Sequence, residues 1–228
     1  MQKIVVLNPK GGSGKTTIAT NLASYFALDG QQPALMDMDH QGSSIRWLRK
    51  RLDDQAHIYG IAAYEQKTQI TRSWHLRIPV GTGRLIVDTP AALRPQDFPD
   101  ICRGADKILV PVLPSDIDIQ AASRCISDLL LTAKIRRREN RVGIIANRVR
   151  RNTIVYRSLM RFLNSLGIPI MATIRDTQNY VYAAEHGLGI HEMAPHRVKQ
   201  DVAQWRQLLG WLIEEQLHVV GGTEHRAF

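Results

Sequence analysis

The sequence predicts an α/β fold, a doubly wound and mainly parallel sheet with helices on both faces. Three observations lead there. Short β-branched runs alternate with longer segments of helical period. The runs are apolar along their length, as strands covered on both faces must be. A glycine-rich turn joins the first run to the first helical segment.

In chain order, a strand is expected over residues 3–7, followed by a helix over 15–29 in which Ile18, Leu22, Ala23 and Phe26 recur at helical spacing. Gly30 stands where that helix would end. Further strands are expected at 33–38, 84–88, 107–112, 142–146 and 169–173, each short and apolar. Helices are expected at 117–133, 153–165 and 178–186, the last two followed by Gly167 and Gly187, and a C-terminal helix at 198–217. Residues 53–83 show the weakest pattern and are read as one helix and a connection. No linker rich in Pro, Gly or Ser and no internal repeat divides the chain, so one domain is expected over 1–218, with a disordered tail at 219–228.

Composition narrows the class. The chain has 228 residues, 44% of them hydrophobic, which is enough for one extended core and excludes a disordered chain. No run approaches the length of a membrane span, and the first nine residues lack the apolar core and cleavage site of a signal peptide, so a cytoplasmic protein without membrane association is expected. Cys102 and Cys125 have no metal-ligand spacing and read as reduced structural thiols. Lys and Arg number 30 against 21 Asp and Glu, a net charge of +9 that suits a polyanionic partner.

The chemistry begins after the first strand, in the run from Pro9 and Lys10 through Gly11, Gly12, Ser13 and Gly14 to Lys15, Thr16 and Thr17. Strand, glycine turn and helix form the setting of a phosphate loop. Glycines let backbone N–H groups face phosphates, and the helix N-terminus adds its positive dipole end. Lys15 would reach the β- and γ-phosphates, and Thr16 would offer its hydroxyl to Mg²⁺. Against the common G-x-x-x-x-G-K-S/T pattern, Pro9 replaces the first glycine and a second lysine, Lys10, stands inside the loop. A turn that merely caps a helix would not need the Gly-Lys-Thr ending.

A nucleotide-hydrolysing site also needs carboxylates at neighbouring strand ends, to hold the metal's water shell and orient an attacking water. Asp37 and Asp39 end the second strand, and Asp88 ends the third in the Walker B manner. Taken singly, each could be a helix cap or turn former. Together, after a phosphate loop, they read as a site.

These residues resemble the ParA/MinD group of P-loop ATPases, and in particular short ParA proteins without an N-terminal DNA-binding extension. Residues 10–17 match the group's deviant Walker A motif, and 37–43 resemble its D-x-D-P-Q-G-S segment with His40 in place of proline. Residues 88–91, 111–115, 173–176 and 184–192 continue the likeness, which runs from Met1 to about Met193. The resemblance implies ATP and Mg²⁺ as cofactors, with Lys10 crossing a homodimer interface to the partner's ATP. It implies Asp39 positioning the water, Asp37 supporting the Mg²⁺ site, Asp88 holding Mg²⁺ through water, Asn147 contacting adenine and Arg175 belonging to the nucleotide pocket. Asn147 alone would equally read as a helix cap or turn residue. The His40 departure bears on the turn after Asp39 and so on hydrolysis. Slow turnover, stimulated by a cargo-bound adaptor of ParB type, is the implied activity.

Arginine is clustered at Arg46, Arg49, Lys50 and Arg51, at Lys134 with Arg136, Arg137 and Arg138, and at Arg148, Arg150, Arg151, Arg157 and Arg161, with Arg197 and Lys199 further on. Rows of guanidinium groups neutralise phosphates and give sequence-independent, salt-sensitive binding to duplex DNA. The alternative is a solvated basic face. The resemblance favours nonspecific double-stranded DNA held by the ATP dimer, hence nucleoid association, with Arg148 to Arg161 plus Arg197 and Lys199 as the contact residues. The cargo would be a plasmid or chromosome partition complex, or a protein assembly such as a carboxysome. Competing readings are a MinD-like membrane-associated division ATPase, for which the glycine-broken tail is unsuited, and a metabolic enzyme of the same superfamily, which Lys10 disfavours.

Overall fold

Among the described residues seven strands pair side by side, and every pair is parallel. The structure, a computed structural model, describes residues 1–65, 78–136 and 139–220. The strands are β1 (Gln2–Val6), β2 (Pro33–Asp37), β3 (Tyr59–Ala62), β4 (Arg84–Asp88), β5 (Lys107–Val112), β6 (Val142–Val149) and β7 (Ile170–Arg175), in the spatial order β3-β2-β4-β1-β5-β6-β7. The chain starts in the middle, winds outward one way to β3, returns through β4, and then runs the other way to β7. In such a sheet the carboxyl end of the central strand opens onto a crevice where ligands bind.

Helices α1 (Lys15–Leu28), α2 (Ser43–Leu48), α6 (Gln178–Glu185), α7 (Pro195–Ala203) and α8 (Arg206–Val220) bury one face of the sheet, while α3 (Phe98–Ile101), α4 (Asp116–Leu131) and α5 (Ile154–Ser165) bury the other. Strand β1 shows why both faces must be covered. Ile4 and Val6 enter the first core with Ile18, Leu22 and Phe26, while Val5 and Leu7 enter the second with Phe98 and Ile126, and all four β1-side residues are fully buried. Ser115, Thr153 and Thr177 cap α4, α5 and α6 by accepting backbone amides with their hydroxyls.

The expected fold class is the observed one. Two local expectations are corrected. Within 53–83 the described residues form a strand that was not expected, β3, and a short 3₁₀ turn, Ala63–Glu65; residues 66–77, across which the expected helix and connection also run, lie outside the described set. β3 pairs only with β2 among the described strands, and its four residues bury Ile61 alone, too little to leave a periodic signature. The expected C-terminal helix is two helices. Its break falls at Gln204 and Trp205, where the Gln204 side chain accepts the Arg175 amide at 3.0 Å and the fully buried Trp205 donates to the Tyr180 hydroxyl at 2.9 Å. Of the expected tail, 221–228 lies outside the described residues. No described helix is long and apolar enough to cross a membrane. Cys102 and Cys125 are buried free thiols, and burial pushes Cys102 up to about 12, so neither is a reactive thiolate.

His191 is built into the first core's rim, edge-on to Tyr25 at 5.0 Å and Trp205 at 5.9 Å, with neither ring nitrogen hydrogen-bonded among the described residues. Burial lowers its pKa to about 4. Between the unfolded value of 6.5 and about 4, the unfolded chain binds a proton that the native protein does not, so stability falls as pH falls through that window. His191→Phe removes this dependence. Urea unfolding at pH 7 and pH 4.5 is therefore expected to show the variant gaining on the parent by roughly 1–3 kcal/mol at the lower pH; an unchanged difference between the two proteins would contradict the depressed histidine.

Candidate functional site

The phosphate loop leaves β1 under tight control. The Asn8 side-chain amide donates to the Pro111 carbonyl of β5 at 2.7 Å, and its oxygen accepts the Lys10 amide at 2.9 Å. Gly12 and Gly14 then take left-handed backbone angles, φ 77° and 94°. Gly14 precedes α1 without a side chain to occupy the first-turn amides, which leaves them for an anion. A Cβ at Gly14 would lie 2.1 Å from the Asn147 amide nitrogen. Asn147, buried at the end of β6, donates to the Ser13 carbonyl at 2.9 Å and accepts the Arg148 amide at 3.0 Å. It braces the loop from behind.

The two loop lysines face different ways. Lys15 is buried and donates to the Lys10 carbonyl at 3.2 Å; burial lowers its pKa, opposed by the charges of Asp88 and Asp39. Lys10 turns its ammonium out to Asp118 on α4, 2.5 Å away. Asp118 is itself buried against the Ser115 hydroxyl that caps α4.

Beneath the loop lie the carboxylates. Strand register sets Asp37 and Asp88 side by side at the carboxyl ends of β2 and β4. One oxygen of Asp88 accepts the Thr16 hydroxyl at 2.7 Å and the Ser44 hydroxyl at 2.5 Å, while Oδ1 is buried without a partner among the described residues. Burial raises its pKa to about 6 against the pull of those hydroxyls. Asp37 is fully buried, and both its oxygens accept backbone amides, Oδ1 from Asp39 and Oδ2 from Ser44 and Ile45. Desolvation is the larger influence on it and raises its pKa. Asp37 thus anchors the segment that carries Asp39 and α2. Asp39 accepts the Gln41 amide at 3.0 Å and faces the cleft.

The cleft above has a volume of about 590 Å³. Gly11, Gly12, Gly14, Lys15, Thr16 and Thr17 form its floor, and Tyr180, Val181 and Ala184 of α6 form a wall. Asn147, Arg148, Arg175 and Asp176 also border it. Arg175 reaches the border, but its guanidinium is committed to the buried Asp201 at 2.5 Å and to Gln200 at 2.7 Å. Asp176 is held by Arg150 at 2.8 Å and Arg148 at 3.5 Å, and the Arg150 bond holds its carboxyl below the usual range. Ser44, Asp118 and the α6 wall carried no motif that sequence reasoning could isolate, although Ser115 at a strand end preceding Asp118 was a usable capping signal.

The basic residues divide. Arg148 is exposed near the end of β6, Arg150 and Arg151 are exposed on the turn that follows it, and Arg157 and Arg161 are exposed on α5. Arg197 and Lys199 are exposed on α7 in the opposite layer, with the Arg197 guanidinium 4.9 Å above the Tyr182 ring. Arg51 leaves the expected solvated cluster altogether, being a buried ion pair with Glu192 at 2.7 Å. Arg137 and Arg138 lie outside the described residues.

An all-parallel, doubly wound sheet with a glycine loop and buried acids at its central crevice defines a P-loop nucleotide-binding protein. Residues 4–190 match the CbiA family, the CobQ/CobB/MinD/ParA nucleotide binding domain, and the chain belongs to that family. It is 27% identical over 194 residues to maintenance of carboxysome distribution protein A of Halothiobacillus neapolitanus, covering 83% of this chain and 87% of that protein. With the protein of the same name from Gloeobacter kilaueensis it is 29% identical over 212 residues, covering 90% and 91%. Among solved structures, a Borrelia burgdorferi plasmid partition protein bound to AMPPNP, described as putative, superposes with a TM-score of 0.73 at 13% identity, covering 94% of this chain and 99% of that one.

Because Gly14 combines a left-handed backbone with contact against a buried amide, Gly14→Ala is expected to weaken nucleotide binding about 10- to 100-fold. Gly12→Ala, which has open space for its Cβ and only backbone strain, is expected to weaken it less. Titration with a fluorescent ATP analogue distinguishes them, and equal losses would refute the bracing by Asn147.

Proposed function

We propose that this protein is an ATPase that dimerises on ATP, holds nonspecific duplex DNA in that state, and positions a cargo on the nucleoid until a cargo-bound adaptor stimulates hydrolysis. The observation that carries the reading is the outward-facing Lys10. A phosphate loop that serves only its own nucleotide needs one lysine, and Lys15 fills that place from within. Lys10 is directed away from the cleft floor toward Asp118, where it is available to the nucleotide of a second subunit.

The residues fit ATP with Mg²⁺. The Thr16 hydroxyl and the unpartnered Oδ1 of the buried Asp88 form an oxygen site of the sparse kind that Mg²⁺ uses when phosphates complete its shell. Bound there, Mg²⁺ would neutralise charge on the phosphates. Lys15 and the first-turn amides of α1 would hold the phosphates, and Asp39 would orient the attacking water, with Asp37 fixing the segment that bears it. Asn147 and Arg175 border the cleft where a base would lie. The arginines after β6 and the basic residues of α7 would take DNA phosphates. The likeness to carboxysome distribution proteins and to the partition fold supports a positioning role, with a protein assembly such as a carboxysome, or a plasmid, as cargo.

The deciding experiment is binding of the purified protein to nonspecific duplex DNA with ATP, with ADP and without nucleotide, at two salt concentrations. Tight, salt-sensitive binding with ATP alone is expected, and no binding in any state would end the DNA reading. Lys10→Ala is expected to leave ATP affinity near the parent's, because Lys15 and not Lys10 faces the subunit's own cleft, while the ATP dimer disappears from light scattering. Dimerisation equal to the parent's would remove the cross-subunit role. Asp39→Ala is expected to lock the dimer by suppressing phosphate release, measured as ATP turnover; turnover equal to the parent's would reassign the water.

A further inference from the structure

The geometry points to Asp176 as a mask: it withholds Arg148 and Arg150 from phosphodiesters until nucleotide enters the cleft, which would make DNA binding depend on nucleotide within a single subunit. This rests on the proposed DNA-binding reading and supplies its regulation.

Asp176 follows β7 and faces two ways. It borders the nucleotide cleft, and its carboxylate binds Arg150 at 2.8 Å and Arg148 at 3.5 Å. Both guanidinium groups are otherwise at the surface, with side-chain exposures of 63% for Arg148 and 76% for Arg150 against 27% for Asp176. Two of the three arginines clustered around the end of β6 are therefore drawn toward one acid in the cleft wall.

Arg148 connects this cluster to the phosphate loop. Its φ is 50°, a left-handed value uncommon outside glycine, and its amide is fixed by the Asn147 side chain. The same side chain donates to the Ser13 carbonyl of the loop. A path thus runs by hydrogen bonds from the loop backbone through Asn147 to Arg148, and by an ion pair from Arg148 to Asp176. Arg148 also borders the cleft, so phosphates entering it attract that guanidinium, while sugar hydroxyls donate to carboxylates and compete for Asp176. Either contact loosens the pairs and leaves the exposed guanidinium groups free to take a phosphodiester. Exposed ion pairs are weak, so the mask is shallow and a nucleotide suffices to lift it.

The test is DNA affinity of the full chain, by fluorescence anisotropy on a random-sequence duplex, with ATP and without nucleotide. Asp176→Asn is expected to tighten binding without nucleotide by about three- to fivefold, the worth of an exposed pair. Its affinity with ATP should match the parent's, so the ATP-to-nucleotide-free ratio shrinks. The nucleotide-free salt slope should steepen by about 1 to 2, one step per freed phosphate contact. Glu185→Gln removes another carboxylate bordering the cleft that pairs with no arginine among the described residues, and is expected to keep the parental ratio. Adding Arg148→Ala and Arg150→Ala to Asp176→Asn should erase the gain. Asp176→Ser, with thermal unfolding and ATP-analogue affinity measured on every variant, separates masking from misfolding. Equal tightening with and without ATP would be a bare charge effect and would overturn the mask, as would no tightening at all. If the parent binds DNA with ATP but Asp176→Asn keeps its ratio, the mask falls and the DNA reading stands; if the parent never binds DNA, both fall.

Discussion

The site depends on a buried carboxylate that ties three elements together. Asp88 ends β4 beside the central strand, and a single oxygen accepts hydroxyls from Thr16 at the start of α1 and Ser44 in α2. Burying that charge is unfavourable, as its pKa of about 6 records. Asp37 beside it adds like charge, offset by three amides that converge on its oxygens. An arrangement of this kind does little for stability, since an apolar cluster of equal volume would hold the strand ends together at lower cost. It is intelligible as a cradle whose charge is completed by a cation. Lys15 is the cation already in reach, and burial weakens its hold on its own proton, so the two signs perturb each other across the loop.

Helix capping then decides where the second lysine goes. Ser115 caps α4 and at the same time packs on Asp118, which fixes the acid at the helix's first turn facing the phosphate loop. Lys10 has a backbone held by Asn8 and an ammonium held by Asp118, so its side chain is fixed in place at both ends. The same logic applies to Arg175: its pairing with Asp201, which also accepts the Asn179 amide, joins β7, α6 and α7 into one wall of the cleft.

The central strands and the phosphate loop were legible in the sequence because burial on both faces demands unbroken apolar runs, and because few chemistries need Gly-Lys-Thr between a strand and a helix. β3 was not legible: Tyr59 and Gly60 are exposed, and one buried isoleucine cannot establish a period. The split between α7 and α8 was hidden for a different reason. Gln204 and Trp205 are acceptable helix residues, and their contacts with Arg175 and Tyr180, roughly 25 to 30 positions away in sequence, outweigh propensity. Asn147 was legible as a polar residue at a strand end, and its placement behind Gly14 was not, because the contact joins residues 134 positions apart. Arg51 looked like its basic neighbours and differs only in facing Glu192, which sequence separation concealed.

What remains is how a cleft and a basic surface come to share residues. The sheet keeps α5 and α7 in opposite layers, so Arg157 and Arg161 cannot sense the cleft through the core that α7 contributes to. The end of β6 escapes that separation. Asn147 is buried against the loop, the next residue is exposed at the cleft border, and Arg150 lies two further on. Alternation along a strand sends successive side chains to opposite sides, so one short segment can touch the phosphate loop with one residue and solvent with the next. The left-handed turn at Arg148 comes where β6 and β7 lose regular register, between Ala146 and Val149. The hydrogen bonds that join Ser13 to the surface therefore pass through Asn147 and Arg148 alone, at the point where the pairing of β6 with β7 is irregular.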